Sequence, residues 1–259
     1  MMPRKNTVHR YFDGTDTEEL FKHNLRENYK QLQQNGWDEN SVIDYKIDSN
    51  GFRNDTDEIP KDSIMILGCS FAMGIGLRRE QTFGHMISKK LNLPYLNYAH
   101  QGSGMLSSFY IANKFIPIVK PKHIFYLRPD DNRVDIYNSN QPCYSKPLSV
   151  LNLPTNTRKV ERWRSKTNNR SFEYNWVLND EWRNQIVELT NIAITKLAED
   201  HNATLVIHYA NEDEPTSSKN KELELWDKGQ KSKARDLMHD GEEMHKYWAY
   251  KFLEPLGIK

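Results

Sequence analysis

A serine hydroxyl is a weak nucleophile unless a base takes its proton and a third group orients that base. Ser70, His239 and Asp236 are of the types to supply that set. Ser70 follows the all-apolar run Ile64-Met65-Ile66-Leu67, within Gly68-Cys69-Ser70-Phe71, and Gly74 and Gly76 come just after. A short apolar run ending in glycine predicts a strand covered on both faces. A serine on the strand-to-helix turn beyond it presents its hydroxyl to solvent, beside backbone N–H groups that can bind an oxyanion. The pattern is not the G-x-S-x-G elbow, because Ala72 replaces the second glycine. Nor is it a P-loop, since no Gly-Lys-Ser/Thr follows. A capping or turn serine fits the same local pattern, so Ser70 alone leaves both readings open.

Asp236 and His239 stand three apart in Ala234-Arg235-Asp236-Leu237-Met238-His239. In a turn, that spacing lets the carboxylate bond one ring nitrogen of His239 and leaves the other to act as general base. An isolated Asp-x-x-His is usually structural; together with Ser70 it makes a nucleophile–base–orienter set. Cys69 is adjacent to Ser70, but successive side chains point apart, and a buried small hydrophobe is the commoner role. His100, His123, His201 and His208 lack zinc-ligand spacing, so neither a metal site nor a cofactor is expected. His208 ends a strand and is a candidate for the pocket wall, with a hydrogen-bonded, half-buried histidine as the plainer reading.

These blocks resemble those of SGNH (GDSL-like) hydrolases, as a divergent member would, over roughly residues 41–259. Gly68-Cys69-Ser70-Phe71 is similar to the family's first block, with Cys69 in place of the usual aspartate. Asn97-Tyr98-Ala99-His100-Gln101-Gly102-Ser103-Gly104 resembles the second, which makes Gly102 a backbone oxyanion donor alongside Ser70. Asp236 and His239 match the last block, and His245 matches a second histidine often found at the start of the final helix. The third block, Gly-x-Asn-Asp, is degenerate: the chain reads Leu127-Arg128-Pro129-Asp130-Asp131-Asn132-Arg133. Asn132 is the remaining candidate for a third oxyanion donor, several residues later than the pattern expects. Losing one such donor costs about 100- to 1,000-fold in turnover. Arg128 and Arg133 could meet an anionic substrate group, with a surface salt bridge as the alternative role for each. The stretch Tyr45 to Arg53 resembles a lead-in found before some SGNH domains; as plain structure it is a turn packing an arm onto the core.

The elements that must position these residues alternate. Residues 1–60 read as an N-terminal arm with one helix (Leu20, Phe21, Leu25, Tyr29 and Leu32 at helical spacing, stopped by Asn35-Gly36) and an extended lead-in, Ile43 to Ile47. Residues 61–259 read as the α/β domain. Its strands are expected at Ile64–Leu67, Tyr95–Tyr98, His123–Leu127 and Thr204–Tyr209. Its helices are expected from Phe83 to Leu91, Met105 to Val119 and Trp182 to Leu197, with a last one carrying Met244, Trp248 and Phe252. An insertion at about 130–178 interleaves Arg158, Arg162, Arg164 and Arg170 with Trp163, Phe172 and Trp176. That mixture suits single-stranded nucleic acid or a sugar face, and a packed lid with solvated charges is the default. The charged run Lys219 to Arg235 reads as an exposed loop or short helix. Alternating strands and helices predict a three-layer α/β/α sandwich around a mostly parallel, flavodoxin-like sheet. Ligands of such sheets bind at the carboxyl ends of the strands, where Ser70, Gly102, Arg128 and the residues after Tyr209 fall.

Composition bounds the function. The chain has 259 residues, 37% hydrophobic, with 36 basic and 35 acidic side chains. One sizeable core is expected, without a field that draws nucleic acid or an anionic membrane. No apolar run approaches the roughly 20 residues of a membrane span, and Met1 to Gly14 lacks the apolar stretch of a secretory signal. Two cysteines, Cys69 and Cys143, make no disulfide framework, so a cytoplasmic setting is expected, or a virion if a phage encodes the chain. The resemblance implies a serine esterase acting on a small acyl ester or an O-acylated glycan. The other reading is a non-catalytic SGNH-like module for binding or assembly, as in a phage. Oligomeric state is not legible.

Overall fold

The computed structural model describes residues 7–12, 14–130, 133, 135, 180–210 and 232–258. Asn132, Cys143, most of the insertion with its arginines and aromatics, and most of the charged run from Lys219 lie outside them.

Four strands make one sheet: β3 (Ile64–Gly68), β4 (Tyr95–Asn97), β5 (His123–Arg128) and β6 (Thr204–Tyr209), in the order β4-β3-β5-β6 and all parallel. The second strand lies outside the first, and the third and fourth continue on its other side, as in a flavodoxin-like sheet. Gly68 pairs with Leu127, so β3 and β5 end side by side at the point where the chain direction across the sheet reverses. Expected and observed bounds of these strands agree to within a residue.

The all-apolar character of β3 follows from its two covered faces. On one side Ile64, Ile66, Phe125 and Leu127 pack with α4 (Phe83–Leu91) and α7 (Glu242–Leu253). On the other, Met65, Leu67, Ile124 and Tyr126 pack with α5 (Met105–Val119) and α6 (Asp180–Asp200). This is a three-layer α/β/α arrangement.

The first sixty residues depart from the single helix expected there. Helix α1 (Glu18–Glu27) and α2 (Tyr29–Gln34) are separated at Asn28, whose backbone leaves the helical region (φ −124°, ψ 24°). Its side-chain amide donates to Asn24 Oδ1 at 2.9 Å, the local bonding by which asparagine competes with a helix. A three-residue strand, β1 (Thr7–His9), pairs antiparallel with β2 (Tyr45–Ile47), and nothing in its sequence announced it. The arm also shares the core: Phe12, Phe21, Leu32, Trp37, Ile43 and Tyr45 join the cluster that covers Ile64 and Ile66.

Glycine is required where β3 hands over to the short helix α3 (Ser70–Met73). Gly68 has φ 145°, and a Cβ there would stand 2.6 Å from Leu127 O and 2.7 Å from the Ala72 Cβ. Both the backbone angle and the lack of space exclude a side chain. Gly68→Ala is expected to destabilise the protein by more than about 2 kcal/mol, read as a lower urea midpoint at unchanged slope.

Candidate active site

Ser70 opens α3 at the carboxyl end of β3 and is 6% exposed. Cys69 beside it is fully buried, as its reading as a small hydrophobe expects. Among the described residues no acceptor is found for the N–H of Ser70 or of Gly102, and the Ser70 hydroxyl makes no hydrogen bond. Gly102 has φ 72° in the turn after β4, where Ser103 N donates to His100 O at 3.1 Å. Asn97, at the end of β4, joins that turn to α3: its amide donates to Ala72 O at 3.1 Å, and its Oδ1 accepts from Ala99 N at 3.0 Å.

Asp236 and His239 form the bond their spacing suggested. His239 Nδ1 and Asp236 Oδ2 are 2.6 Å apart, and the other carboxylate oxygen accepts from the N–H of Met238 and of His239, each at 3.0 Å. Burial pushes the Asp236 carboxyl up, but the His239 ring and these two amides outweigh it and hold the group below its usual range. An ionised Asp236 can only accept, so Nδ1 is the ring nitrogen that donates to it. The His239 ring lies edge-on to Phe71, centroids 5.0 Å apart, and so against the residue that follows Ser70. Leu237 takes a positive φ of 58°, which closes the turn between the two partners.

The turn after α3 abuts the same segment. Arg235 N donates to Gly76 O at 2.9 Å, and a Cβ on Gly76 would lie 3.3 Å from Asp236 Oδ1. Arg53, in the lead-in, is 4% exposed and clamps that turn: its guanidinium donates to the carbonyls of Met73 (3.3 Å), Gly74 (2.5 Å) and Leu77 (2.8 Å). The lead-in thus packs the arm onto the core, and it does so with a buried cation.

Arg128 is buried rather than at the surface: it is 8% exposed at the end of β5, with its guanidinium 3.7 Å from the centroid of the Tyr209 ring. The side chain faces the neighbouring strand, whose aromatic ring gives it a flat partner. Arg235 was read within an exposed charged run and is 1% exposed, because Asp16 meets it from 219 residues away. Arg133 donates to Ser103 O at 3.3 Å. His208 packs edge-on against Tyr247 and Phe252 of α7. Asn132 is not among the described residues. Phe71, Asp16, Tyr45 and Arg53 were not singled out for a role at the site. The lead-in resemblance was the one signal for Tyr45 and Arg53.

No group of three or more potential metal ligands occurs among the described residues, and none of their helices is long and apolar enough to cross a membrane. No protein-family model matches this chain. No curated protein matches it either. Two solved structures are similar over most of its length. One is TesA, at 11% identity and TM-score 0.42, covering 75% of this chain and 99% of that one. The other is the psychrotrophic esterase EstA from Pseudoalteromonas sp., solved as inhibited by monoethylphosphonate, at 11% identity and TM-score 0.33, covering 77% and 100%. At this distance neither decides what the chain does.

His245 differs from His239 in its partners. It is 1% exposed, its Nδ1 accepts from Phe83 N at 3.1 Å, and its ring stacks on Phe83. It therefore caps an orphan N–H at the start of α4. Burial, with the charge of Arg53, lowers its pKa from 6.5 to about 3. The unfolded chain then binds a proton that the folded one refuses between those values. Stability is thus full above about 6.5 and falls as pH drops toward 3, by up to about 1.4 kcal/mol per pH unit. Urea midpoints measured from pH 7 to pH 4 should fall less steeply in His245→Gln than in the parent.

Proposed function

We propose that this chain is a serine ester hydrolase of the SGNH type, with Ser70 as nucleophile, His239 as general base and Asp236 as its orienter. The observation that carries this reading is the 2.6 Å Asp236–His239 bond, with the imidazole packed on Phe71 next to Ser70. Ser70 Oγ attacks the acyl carbon while His239 Nε2 takes its proton. The resulting oxyanion is held by the N–H groups of Ser70 and Gly102, with Asn132 as a third donor. Collapse breaks the ester C–O bond, and the leaving alkoxide receives the proton from His239. Water, deprotonated by the same nitrogen, then releases the acid and restores Ser70. No cofactor takes part in these steps.

The substrate proposed is a small acyl ester, with O-acyl groups of a glycan as the narrower choice because the insertion is rich in aromatic residues that suit a sugar face. Arg128, Arg133 and His208 are the side chains proposed for substrate contact. One observation favours a second reading, a non-catalytic binding or assembly module such as a phage would carry. The third block is degenerate: the stretch Leu127 to Arg133 lacks its glycine.

Labelling with a fluorophosphonate probe separates the two. The parent protein should be modified at Ser70 and should hydrolyse short-chain aryl esters. Ser70→Ala should lose both, and His239→Ala should lower turnover by at least about 100-fold with the fold intact. A protein that stays unlabelled while folded belongs to the second reading.

A further inference from the structure

A buried ion pair ties the N-terminal arm to the residue beside Asp236. Asp16 is 1% exposed and accepts two bonds from Arg235, from Nε at 3.0 Å and from Nη2 at 2.7 Å. Arg235 spends its other donors on the arm as well, on Arg10 O at 2.8 Å and Ser41 O at 3.2 Å. Its backbone N–H donates to Gly76 O, and the Gly76 N–H in turn donates to the Tyr45 hydroxyl at 2.7 Å. The Tyr45 hydroxyl donates to Asp16, which closes the ring. Three separate pieces of chain are thereby joined: the arm, the turn that follows the Ser70 helix, and the segment that carries Asp236 and His239.

No member of the ring is itself a candidate triad residue, yet the ring lies where two parts of the candidate triad are set against each other. Further bonds from the arm hold the same segment. Asn24 donates to Asp236 O at 3.4 Å, Trp37 Nε1 donates to Lys233 O at 3.0 Å, and Asn35 Oδ1 accepts from Lys233 N at 2.5 Å. A residue displaced by about 1 Å can lose about 100-fold in rate without any chemical change.

We propose that Asp16 and Tyr45 are positioning residues, and that through Arg235 and Gly76 they hold the Asp236–His239 pair in register with the Ser70 turn. This rests on the reading of Ser70, Asp236 and His239 as a triad. The arm is then part of the active site's support, and its docking is a condition for turnover.

Tyr45→Phe is the decisive variant. It removes one oxygen and keeps the ring packed against Phe12 and beneath the Arg53 guanidinium. Asp16→Asn is the stronger perturbation, since it leaves a buried guanidinium without its carboxylate. For full-length Tyr45→Phe, turnover of an aryl acetate should drop by about 10- to 100-fold with KM within about twofold of the parent. The low-field NMR signal of the His239 Nδ1–H, assigned with isotope-labelled histidine and by its loss in Asp236→Asn, should be present in the parent and broadened or lost in both variants. A merely structural role would lower the melting temperature and leave kcat and that signal unchanged, which would overturn the proposal. If the parent is not labelled at Ser70 and hydrolyses nothing, the esterase reading fails on its own. The NMR signal then still decides whether Asp16 and Tyr45 hold the pair: persistence in folded Tyr45→Phe refutes it.

Discussion

The buried ion pair between Asp16 and Arg235 is the constraint on which the rest depends. Removing two charges from water costs several kcal/mol each, and only close geometry with every remaining donor satisfied offsets it. Arg235 comes close to that condition: four bonds run from its five N–H donors, two to Asp16 and one each to Arg10 O and Ser41 O. A pair of this kind tolerates little displacement, because a misaligned buried charge is far more costly than a misaligned apolar contact. The segment from Arg235 to His239 inherits that rigidity. Lys233 and Asp236, on either side of Arg235, are also bonded to the arm through their carbonyl groups.

A second buried cation works on the other side of the site. Arg53 holds three carbonyls of the turn after α3, and Tyr45 lies under its guanidinium while bonding Gly76 in the same turn. The helix that Ser70 opens is only four residues long and has little stability of its own. Tertiary bonds must supply what a longer helix would supply internally. The short helix and the Asp–His segment are thus fixed by residues of the same arm, which is why the arm shares the core rather than trailing from it.

His239 and His245 show how environment assigns roles to one side-chain type. His239 has a carboxylate on one nitrogen and an aromatic edge at its flank, an arrangement that aims the ring. His245 is enclosed, stacked and engaged as an acceptor by a helix N-terminus, which drives it to the neutral form. Both stand at the start of the last helical region, six positions apart, and only their partners distinguish them.

Much of this was legible in the sequence because it is encoded locally. Apolar runs set the four strands and periodic apolar positions set α4, α5 and α7, since burial of one or two faces leaves its mark on neighbouring residues. The Asp236–His239 bond was legible for the same reason: its partners are three residues apart. The break at Asn28, strand β1 and the burial of Arg235 were not. Asn28 lies inside an unbroken apolar period, β1 is three residues long, and Arg235 is an arginine among charged residues. The last two depend on partners distant in the chain, Lys46 for Val8 and Asp16 for Arg235, and no local pattern records such a partner. The sequence by itself determined the layers of the fold and the residue types of the site. The tertiary structure alone decided that the arm holds them, because a buried charge is satisfied by whatever the fold brings to it, not by its neighbours in sequence.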